Sequence, residues 1–554
     1  MVYLSISAII TVFIILYLDA TSKNRRRERL QSIRNAWGTP STDDRNFHRI
    51  GRYAAQSKGK MSHMLSQQTL DDIDFQQLFS FIDRTSSAVG QQFLFRQVLY
   101  PFHPIADLER LDSLANVMTG DAVSREKIQS ELMKLSHPGA YNLCNLVDLQ
   151  VSRRPSWFKY LYVTLLLIPV LLILSSKFPV CFALLCIPVT INTLVHYWHR
   201  SKMGFSFSSF AELSTLMDVA RKIVSKSGFE NAAVQESLQV LKAFKWKLIL
   251  LNPGKATMKD DLSQFGYYLN ELVNGILLIE VFTVLSLEKV LEKRKGAVAT
   301  LFHFVGEIDT SVSIASLRAG ASMTCVPRFV ERRKEMSASE LYHPLIPNCV
   351  KNDIYINGKS ALITGSNMSG KTTFLRSFVI NSILAQSIYT CFAKEFAAPF
   401  VRQFSSIRID DNLFQGRSYF FEEVNVIGLF IEEMQSGSQN LFILDEVFKG
   451  TNSVEGTALG KAILSYLNRG DNIVMVSTHD MELSELLRDE YDVYHFSETI
   501  ENGKLHFDHT LKQGPLKTRN AIRLLELGNF PAEITSEARA LTSGFSLRKI
   551  NGEG

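Results

Sequence analysis

Residues 362–375 have the sequence LITGSNMSGKTTFL, which indicates the fold class of the second half of the chain. The preceding SALIT is apolar like a strand, and TTFLRSFVINSILA after the lysine is typical of a helix. Between them lies the pattern GxxxxGK(S/T), which in this strand–loop–helix context is characteristic of a phosphate-binding loop. Its glycines let backbone N–H groups converge on phosphate oxygens at a helix N-terminus. The stretch therefore predicts a nucleotide-binding α/β domain.

The residues of this loop have separate expected roles. We expect Lys371 to reach the β- and γ-phosphates and Thr372 to coordinate Mg²⁺, so that ATP and Mg²⁺ are the expected ligands. The residues expected to contact the nucleotide are Gly365, Ser366, Asn367, Met368, Ser369, Gly370, Lys371, Thr372 and Thr373.

A second strand-like run, Asn440–Leu444, ends in the acidic pair Asp445 and Glu446. A buried parallel strand delivers such carboxylates to the carboxyl edge of a sheet, where α/β proteins bind ligands. We expect Asp445 to hold Mg²⁺ through water and Glu446 to polarise the attacking water. The alternative is an ordinary acidic strand end, but a position about 70 residues beyond a phosphate loop favours the functional interpretation.

A third strand-like run, Asn472–Val476, ends in Ser477-Thr478-His479-Asp480. We expect His479 at this strand end to sense the γ-phosphate. The alternative is a structural histidine. Lys371, Glu446 and His479 are therefore the predicted catalytic residues.

Together these segments resemble the ATPase domain of MutS-type mismatch-repair proteins. GSNMSGKTT, LFILDEVFKGTNSVEG and VSTHDMEL occur in the order and spacing of that family, and GRSYFFEEVNVIG (416–428) is similar to its counterpart of the ATP-binding-cassette signature. The resemblance implies that Ser418 reaches the γ-phosphate bound by the opposite subunit and that residues 451–453 cross the dimer interface. It thus implies a homodimer with two composite sites that hydrolyses ATP to ADP and phosphate.

The resemblance extends over residues 60–150 and 205–545. Within the first range, residues 78–114 are similar to the start of the MutS core domain, and residues 517–541 are similar to the terminal helices that pack the dimer. Where the family has a domain that recognises mismatches, this sequence has an apolar segment and a short basic segment. We therefore expect a MutS-like protein without that domain.

Three apolar runs predict membrane helices. The first, Val2–Leu18, precedes the basic residues 25–27, an order that favours a retained anchor over a cleavable signal peptide. The other two, Trp157–Leu174 and Phe178–Trp198, are joined by a short link into a hairpin, for which the alternative is a buried hairpin of a soluble core. Aromatic residues occupy one end of this hairpin, and basic residues flank it, so the positive-inside rule places its flanks inside. These residues are Trp157, Tyr160, Tyr197 and Trp198, and Arg153, Arg154, Arg200 and Lys202.

A fourth apolar run, Val273–Leu287, is shorter and contains Glu280. We expect it to be a buried stretch of one long helix. If it spanned a membrane, the phosphate loop would lie outside the cell, away from ATP.

Net charge and cysteine content limit the possible partners and the possible kinds of metal or disulfide site. A net charge of +5 permits contact with nucleic acid or anionic lipid without requiring either. The six cysteines show no CxxC spacing, which indicates reduced thiols and neither a zinc site nor a disulfide framework.

Two functions remain open. The first is a membrane-anchored ATPase that binds mismatched, branched or otherwise abnormal double-stranded DNA without sequence specificity. The basic runs 293–295 and 332–334 would contact phosphates, or else form solvated helix faces. The second is an ATP-driven switch with a membrane or repair protein as partner and no DNA. A transporter subunit is disfavoured because the spans carry no intramembrane charge.

The expected architecture is multidomain. It combines an α/β P-loop ATPase domain of the ATP-binding-cassette-like MutS type, an all-α core and lever domain, and three transmembrane helices in a bacterial inner membrane, with the ATPase domain in the cytoplasm. The expected segments are an N-terminal transmembrane anchor (1–22), a basic linker (23–59), the first part of the helical core (60–150), a transmembrane hairpin (155–200), the second part of the core (203–335) and the ATPase and dimerisation domain (336–554).

Overall fold

The computed structural model shows two compact units. Unit 1 comprises the described residues within 1–60, 80–97 and 110–320, and unit 2 those within 61–79, 98–109 and 321–554. The mixed α/β character expected from the sequence is confirmed, because both sheets lie in unit 2 and the described elements of unit 1 are helices. The structure describes residues 24, 27–41, 44–59, 61, 63–149, 156–227, 231–251, 261–331, 333–366, 368–408, 419–448, 452–501, 504–516 and 531–550.

Unit 1 is built from helices joined by short connections. Its helices are α1 (27–36), α2 (Phe47–Ile50), α3 (Arg52–Gln56), α8 (Ala122–Leu132), α9 (Leu161–Ser175), α10 (Val180–Ser227), α11 (Ala232–Lys242), α12 (Lys245–Leu250), α13 (Asp261–Leu277), α14 (Ile279–Glu292) and α15 (Lys295–Gly320). Short 3-10 helices cover Met133–Leu135, Pro138–Leu146 and Ser156–Tyr160. Residues of both units occur in α5 (Phe75–Ile82), α6 (Ala88–Leu99) and α7 (Ile105–Gly120).

Most residues of α15 in unit 1 are buried, and the fully buried acid Asp309 lies among them. The Asp309 carboxylate accepts hydrogen bonds from the backbone N–H groups of Ser86 and Ser87, both at 2.8 Å, and from the Ser87 hydroxyl at 2.6 Å. Burial raises the pKa of Asp309 to about 7, and these hydrogen bonds oppose the shift. A fully buried carboxylate is tolerated here because three donors satisfy it.

Helices α9 and α10 form the predicted hairpin. Among the described residues, Trp157–Ser175 and Val180–Ser201 are long and apolar enough to cross a membrane, and most of their residues are exposed. The rings of Trp157 and Trp198 lie 5.6 Å apart at one end of the hairpin. The 48 residues of α10 run on without a break to Ser227, a length of about 72 Å. The predicted anchor 1–22, Arg153 and Arg154 lie outside the described residues.

The fourth apolar run is not one helix, so the expectation of a long continuous helix over Val273–Leu287 is wrong. The chain breaks at Leu278, whose φ of 53° and ψ of 26° are left-handed, and this residue separates α13 from α14. The side chain of Leu278 is fully buried among Phe158, Leu161 and Val281. Burial in this cluster stabilises a backbone conformation that costs a leucine about 1–2 kcal/mol.

The described residues of unit 2 form two sheets. The larger has the strand order β10-β9-β4-β8-β7-β6, in which only β10 is antiparallel to its neighbour, and the smaller has the order β1-β5-β2-β3. The strands are β1 (Arg328–Phe329), β2 (Glu335–Leu341), β3 (Asn352–Asn357), β4 (Ser360–Thr364), β5 (Glu395–Ala398), β6 (Arg402–Ser406), β7 (Asn440–Asp445), β8 (Ile473–Thr478), β9 (Tyr491–Glu501) and β10 (Lys504–Gln513). The helices are α4 (Gln67–Asp72), α16 (Lys371–Ile388), α17 (Tyr419–Met434), α18 (Ser453–Leu467), α19 (Met481–Leu486) and α20 (Ala532–Ile550).

Continuous burial explains why the central strands have unbroken apolar sequences. Every residue of β4 and β8 is buried, and in β7 only the terminal Asp445 is less than fully buried. Parallel strands covered on both faces require this pattern rather than alternation. On one face Phe430 of α17 stacks on Phe442 of β7 with ring centroids 5.1 Å apart, within a cluster that also includes Leu464 of α18.

Residues 61–79 and 98–109 belong to unit 2, whereas the sequence analysis places 60–150 together in the helical core. The buried carboxylate of Asp72, in α4, accepts hydrogen bonds from the Ser405 hydroxyl at 2.7 Å and from the backbone N–H groups of Ile407 and Arg408 at 3.0 and 2.8 Å. Asp74 pairs with Arg408 at 2.6 Å. These contacts fix α4 to the end of β6.

Candidate nucleotide site

The strand order brings the three predicted motifs to one edge of the larger sheet. Strand β4 pairs with β8 so that Thr364 lies beside Thr478, and β8 pairs with β7 so that Ser477 lies beside Asp445. All three strands are parallel, so their carboxyl ends meet. The phosphate loop, the acidic pair and the segment containing His479 therefore leave the sheet side by side.

The phosphate loop has the backbone that its glycines permit. Gly370 has a φ of 116° immediately before α16, and a Cβ on Gly365 would lie 2.9 Å from the Phe496 carbonyl oxygen. Non-glycine residues rarely adopt a φ like that of Gly370. Met368 is left-handed, with a φ of 70°, and 85% exposed. Asn367 lies outside the described residues.

Lys371 is the first residue of α16 and is buried. Its Nζ donates to the carbonyl oxygens of Gly365 and Ser366 at 2.7 and 3.0 Å and lies 3.6 Å from Glu446 Oε1. The ammonium group is thus held inside the loop, beside the end of β7. Thr373 follows in the first turn of the same helix.

The side chains predicted to hold Mg²⁺ are adjacent. Thr372 Oγ1 donates to Asp445 Oδ2 at 2.5 Å, and the Ser477 hydroxyl donates to Asp445 Oδ1. Sequence reasoning missed Ser477, although it stands in the quoted VSTHD segment. Hydroxyl and carboxylate oxygens are the hard ligands that Mg²⁺ takes in proteins, usually together with substrate phosphates.

Glu446 and His479 lie farther apart than the hydrogen-bonded side chains of Thr372 and Asp445. Glu446 is left-handed, with a φ of 55°, and its N–H donates to the Ser477 carbonyl oxygen at 3.0 Å. His479 Nδ1 lies 3.7 Å from Glu446 Oε2, too far for a hydrogen bond, and the His479 side chain is exposed. The backbone N–H of Phe448 donates to Glu423 of α17 at 2.6 Å. A left-handed backbone such as that of Glu446 is strained for a non-glycine residue, and such strain is common at functional sites.

A cavity of about 510 Å³ adjoins these groups. Polar and apolar side chains line it, including Lys371, Thr372, Asp445 and Glu446 together with Ile346, Val350, Asn352 and His509. His509 Nδ1 donates to the Ser369 carbonyl oxygen at 3.0 Å, and Asn352 Nδ2 donates to the His509 carbonyl oxygen at 3.1 Å. Sequence reasoning missed both residues because neither belongs to a short motif.

The residues present fit a bound triphosphate. The loop amides lie at the N-terminus of the 18-residue helix α16, which favours an anion. The buried Ser369 hydroxyl has no hydrogen-bond partner among the described residues, so it is free for a further acceptor or donor. In the described part of the chain, no group of three or more His, Cys, Asp or Glu side chains suited to a metal occurs. Proteins commonly hold Mg²⁺ with one or two carboxylates together with substrate phosphates.

Other predicted residues lie outside this geometry. Ser418 and Thr451 are outside the described residues. Asn452 caps α18, because its side chain accepts a hydrogen bond from the backbone N–H of Val454 at 3.2 Å. Of the predicted terminal helices, 517–530 are outside the described residues and 532–550 form α20.

Comparison with known proteins shows that these residues are similar to one family. Residues 361–546 match the model of MutS domain V. The chain is 30% identical over 274 residues to the DNA mismatch repair protein MutS of Thermus thermophilus, a match that covers 49% of this chain and 33% of that protein. It is 30% identical over 246 residues to the DNA mismatch repair protein MutS of Chloroflexus aurantiacus, covering 41% and 25%.

These matches span a third or less of the length of the relatives. The matched family model covers β4, β7 and β8, and with them the phosphate loop and the acidic pair. Residues 361–546 are thus similar to MutS domain V, and the chain is similar to MutS proteins over about half of its own length.

Proposed function

We propose that this chain is a membrane-anchored ATPase that binds and hydrolyses ATP as a homodimer and acts on mismatched, branched or otherwise abnormal DNA. The observation that carries the proposal is the convergence of Lys371, Thr372, Asp445 and Glu446 beside one cavity at the carboxyl edge of the sheet. These residue types supply the cation, the Mg²⁺ ligands and the carboxylate that phosphoryl transfer to water requires.

Each group has a role that follows from its position. Lys371 holds a positive charge among the loop amides, where phosphate oxygens would bind. Thr372 and Asp445 would hold Mg²⁺, which neutralises charge on the phosphate oxygens when bound. The largely buried Glu446 is the carboxylate that would orient water and take its proton. His479 lies beside Glu446 and is exposed, so it would contact the γ-phosphate only on the outer side of the site.

Glu446→Gln tests the hydrolytic role. The amide keeps the size of the side chain but cannot accept a proton, so we expect ATP binding to persist while turnover is lost. Nucleotide binding and phosphate release are measured in parallel, with the exposed Glu482→Gln as the matched control. Hydrolysis by Glu446→Gln at the wild-type rate would show that another group is the base.

Exposed apolar side chains in the motif segments support the homodimer. Met368 of the phosphate loop, Phe421 of the signature-like segment and Val454 after the acidic pair are all large and exposed. Such residues are expected at an interface rather than in water. A composite site would place Ser418 of one copy opposite the phosphate loop of the other.

Mixing two inactive variants tests the composite site. Lys371→Ala and Ser418→Ala each remove one half of both sites in their own homodimers. A mixed dimer contains one site with both halves intact, so activity should reappear on mixing. If the mixture stays as inactive as its components, the two halves do not come from different copies.

The membrane anchor is supported by the exposure of the hairpin. Only 11% and 22% of its two apolar segments are buried, whereas the core hairpin of a soluble protein would be mostly covered. A bacterial inner membrane with the ATPase domain in the cytoplasm agrees with the basic flanks. The test is fractionation of the full chain, with resistance to alkaline extraction expected and release of the chain contradicting the anchor.

DNA binding has a rival in a nucleotide-driven switch that acts on a protein partner. The basic run 332–334 favours the rival, because Arg333 pairs with Asp471 at 2.6 Å and Lys334 Nζ donates to the Asn468 carbonyl oxygen at 2.7 Å. Cations that already pair with groups of the same chain contribute less to the binding of DNA phosphates than unpaired cations would. Binding of branched duplex DNA across a salt series separates the two functions. A steep, ATP-dependent decrease with salt supports DNA, and no binding at low salt supports the switch.

A further inference from the structure

We infer that α13 and α14 form a re-entrant helical pair, which enters the membrane beside the hairpin, turns at Leu278 and leaves on the side from which it entered. The inference rests on the proposed membrane anchor and extends it to the lipid-exposed face of α13. The occupant of that face is the acyl region of the bilayer. The fourth apolar run, Val273–Leu287, crosses no membrane by itself. In this arrangement it forms the part of the pair that lies in the membrane.

The depth of α13 follows from its hydrogen bonds to the hairpin. Asn192, fully buried in the apolar segment Val180–Ser201, donates from Nδ2 to the Ile276 carbonyl oxygen at 2.7 Å. Asn192 Oδ1 accepts from Thr164 Oγ1 of α9 at 2.6 Å. Ile276 thus lies beside residues in the middle of both candidate spans. If those spans lie in lipid, the end of α13 lies there too.

The entry point is marked by an ion pair. Arg200, at the inner end of the hairpin, donates to both carboxylate oxygens of Glu271 at 2.5 and 2.7 Å. From Glu271 to Leu278 is two turns of helix, about 10 Å. Half of the hydrocarbon core is about 15 Å thick, so the turn at Leu278 lies within the near half of the bilayer and the pair does not cross it.

The exposed face of α13 has the composition of a lipid-facing surface. From residue 268 to 278, the exposed side chains of described exposure are all large and apolar. They are Tyr268, Leu269, Leu272, Val273 and Leu277. Over the same stretch Asn274 is buried and Glu271 is turned toward Arg200. A helix in water has the opposite arrangement, with polar groups outside and apolar groups inside.

The return path along α14 is consistent with this arrangement. Its first turns pack on the inner end of the hairpin, where Val281 and Leu285 contact a cluster that includes Phe158 and Leu161. The ring of Phe282 lies 4.7 Å from that of Tyr162. Glu280, just after the turn, is buried. The segment therefore exposes little charge to lipid.

Photo-crosslinking from the full chain tests the inference. Para-benzoylphenylalanine replaces one residue at a time at Leu272, at Phe182 in the hairpin, or at Val123 on α8, in protein reconstituted in phosphatidylethanolamine–phosphatidylglycerol nanodiscs. Leu272 and Val123 are matched, being 61% and 62% exposed. We expect lipid adducts in the mass spectrum from 182 and 272 and none from 123. ATPase activity of each variant reports that it is folded.

The outcomes separate the inference from the anchor. Adducts from 182 but not from 272 would overturn the re-entrant pair and leave the anchor standing. Crosslinks from 272 to a protein instead of lipid would also overturn it. No lipid adduct from either position would show that the anchor itself is wrong. As a second measurement, lipids brominated near the acyl-chain centre should quench a fluorophore at 277 more strongly than one at 268, and equal quenching would contradict entry at Glu271.

Discussion

Two junctions with a left-handed residue, one at the start of α16 and one between α13 and α14, differ in how the sequence encodes them. At the start of α16 the left-handed position is Gly370, and between α13 and α14 it is Leu278. The first uses a residue that adopts this backbone readily, so the motif reveals it. The second uses a residue that resists it, and burial against Phe158 and Leu161 stabilises the conformation. A local signal therefore exists for one junction, whereas the other depends on tertiary packing.

The largest expected effect concerns the first junction. Lys371→Ala removes the ammonium group held among the loop carbonyls, and we expect ATP binding to weaken by at least about 100-fold, or about 2.8 kcal/mol. Isothermal titration calorimetry measures the change. Lys359→Ala, which alters a lysine that donates to the Arg488 carbonyl oxygen outside the site, is the control. Unchanged affinity in Lys371→Ala would show that the loop does not bind the triphosphate.

At the second junction, the expected effect is a reversal in the order of stability of two variants. Leu278→Ala and Leu278→Gly both remove a buried side chain, at a cost of about 2–5 kcal/mol. Glycine also relieves the left-handed strain, worth about 1 kcal/mol, so Leu278→Gly should be the less destabilising of the two. Hydrogen exchange of residues 271–285 measures the local stability.

At a right-handed position in a helix, glycine lowers the stability of the helix by about 1 kcal/mol relative to alanine. Leu277, next to the turn and exposed, serves as the control: there alanine should be better than glycine. The same order at 277 and 278 would mean that Leu278 is not left-handed.

Gly370→Ala tests the first junction in the opposite sense. A Cβ at a φ of 116° introduces strain of about 1–3 kcal/mol next to the phosphates, so ATP affinity should decrease by about tenfold or more. Gly358→Ala carries similar backbone strain, at a φ of 80°, in the turn between β3 and β4. It should lower the melting temperature without changing ATP affinity. Equal affinity losses in both variants would indicate a general effect on the domain.

The smallest effect concerns a residue that orients a ligand. Ser477→Ala removes the hydroxyl that donates to Asp445, and we expect the Mg²⁺ concentration for half-maximal activity to rise about tenfold. Ser387→Ala, which removes a hydroxyl bonded to the Ile383 carbonyl oxygen within α16, is the control. A normal Mg²⁺ requirement in Ser477→Ala would mean that Asp445 needs no such support.

The sequence predicts the parts of the molecule that local residue types determine. Glycine spacing locates the phosphate loop, apolar runs before Asp445 and His479 locate two strands, and hydropathy locates the hairpin. The order of the strands in the sheet, which makes these motifs neighbours, follows from pairing across the chain. His509 approaches Ser369 because β10 pairs with β9. No short sequence motif predicts that contact.

Asp72 shows the same limit for domain boundaries. Its neighbourhood looks like part of a helical domain, yet its carboxylate caps the backbone at Ile407 and Arg408. A buried acid needs donors, but its sequence does not say where they are. Composition alone therefore carries no sign that residues 61–79 group with unit 2.

The contact between Asp72 and Ser405 also constrains how the chain is made. These residues are 333 positions apart, so α4 leaves the ribosome long before β6 exists. At about 5–20 residues per second, the wait is roughly 20 to 70 s. The hairpin segments emerge during that interval, before α4 meets its partners. We therefore expect a chaperone to protect this early segment during translation. We also expect the later half, expressed from residue 321 onward, to fail to fold.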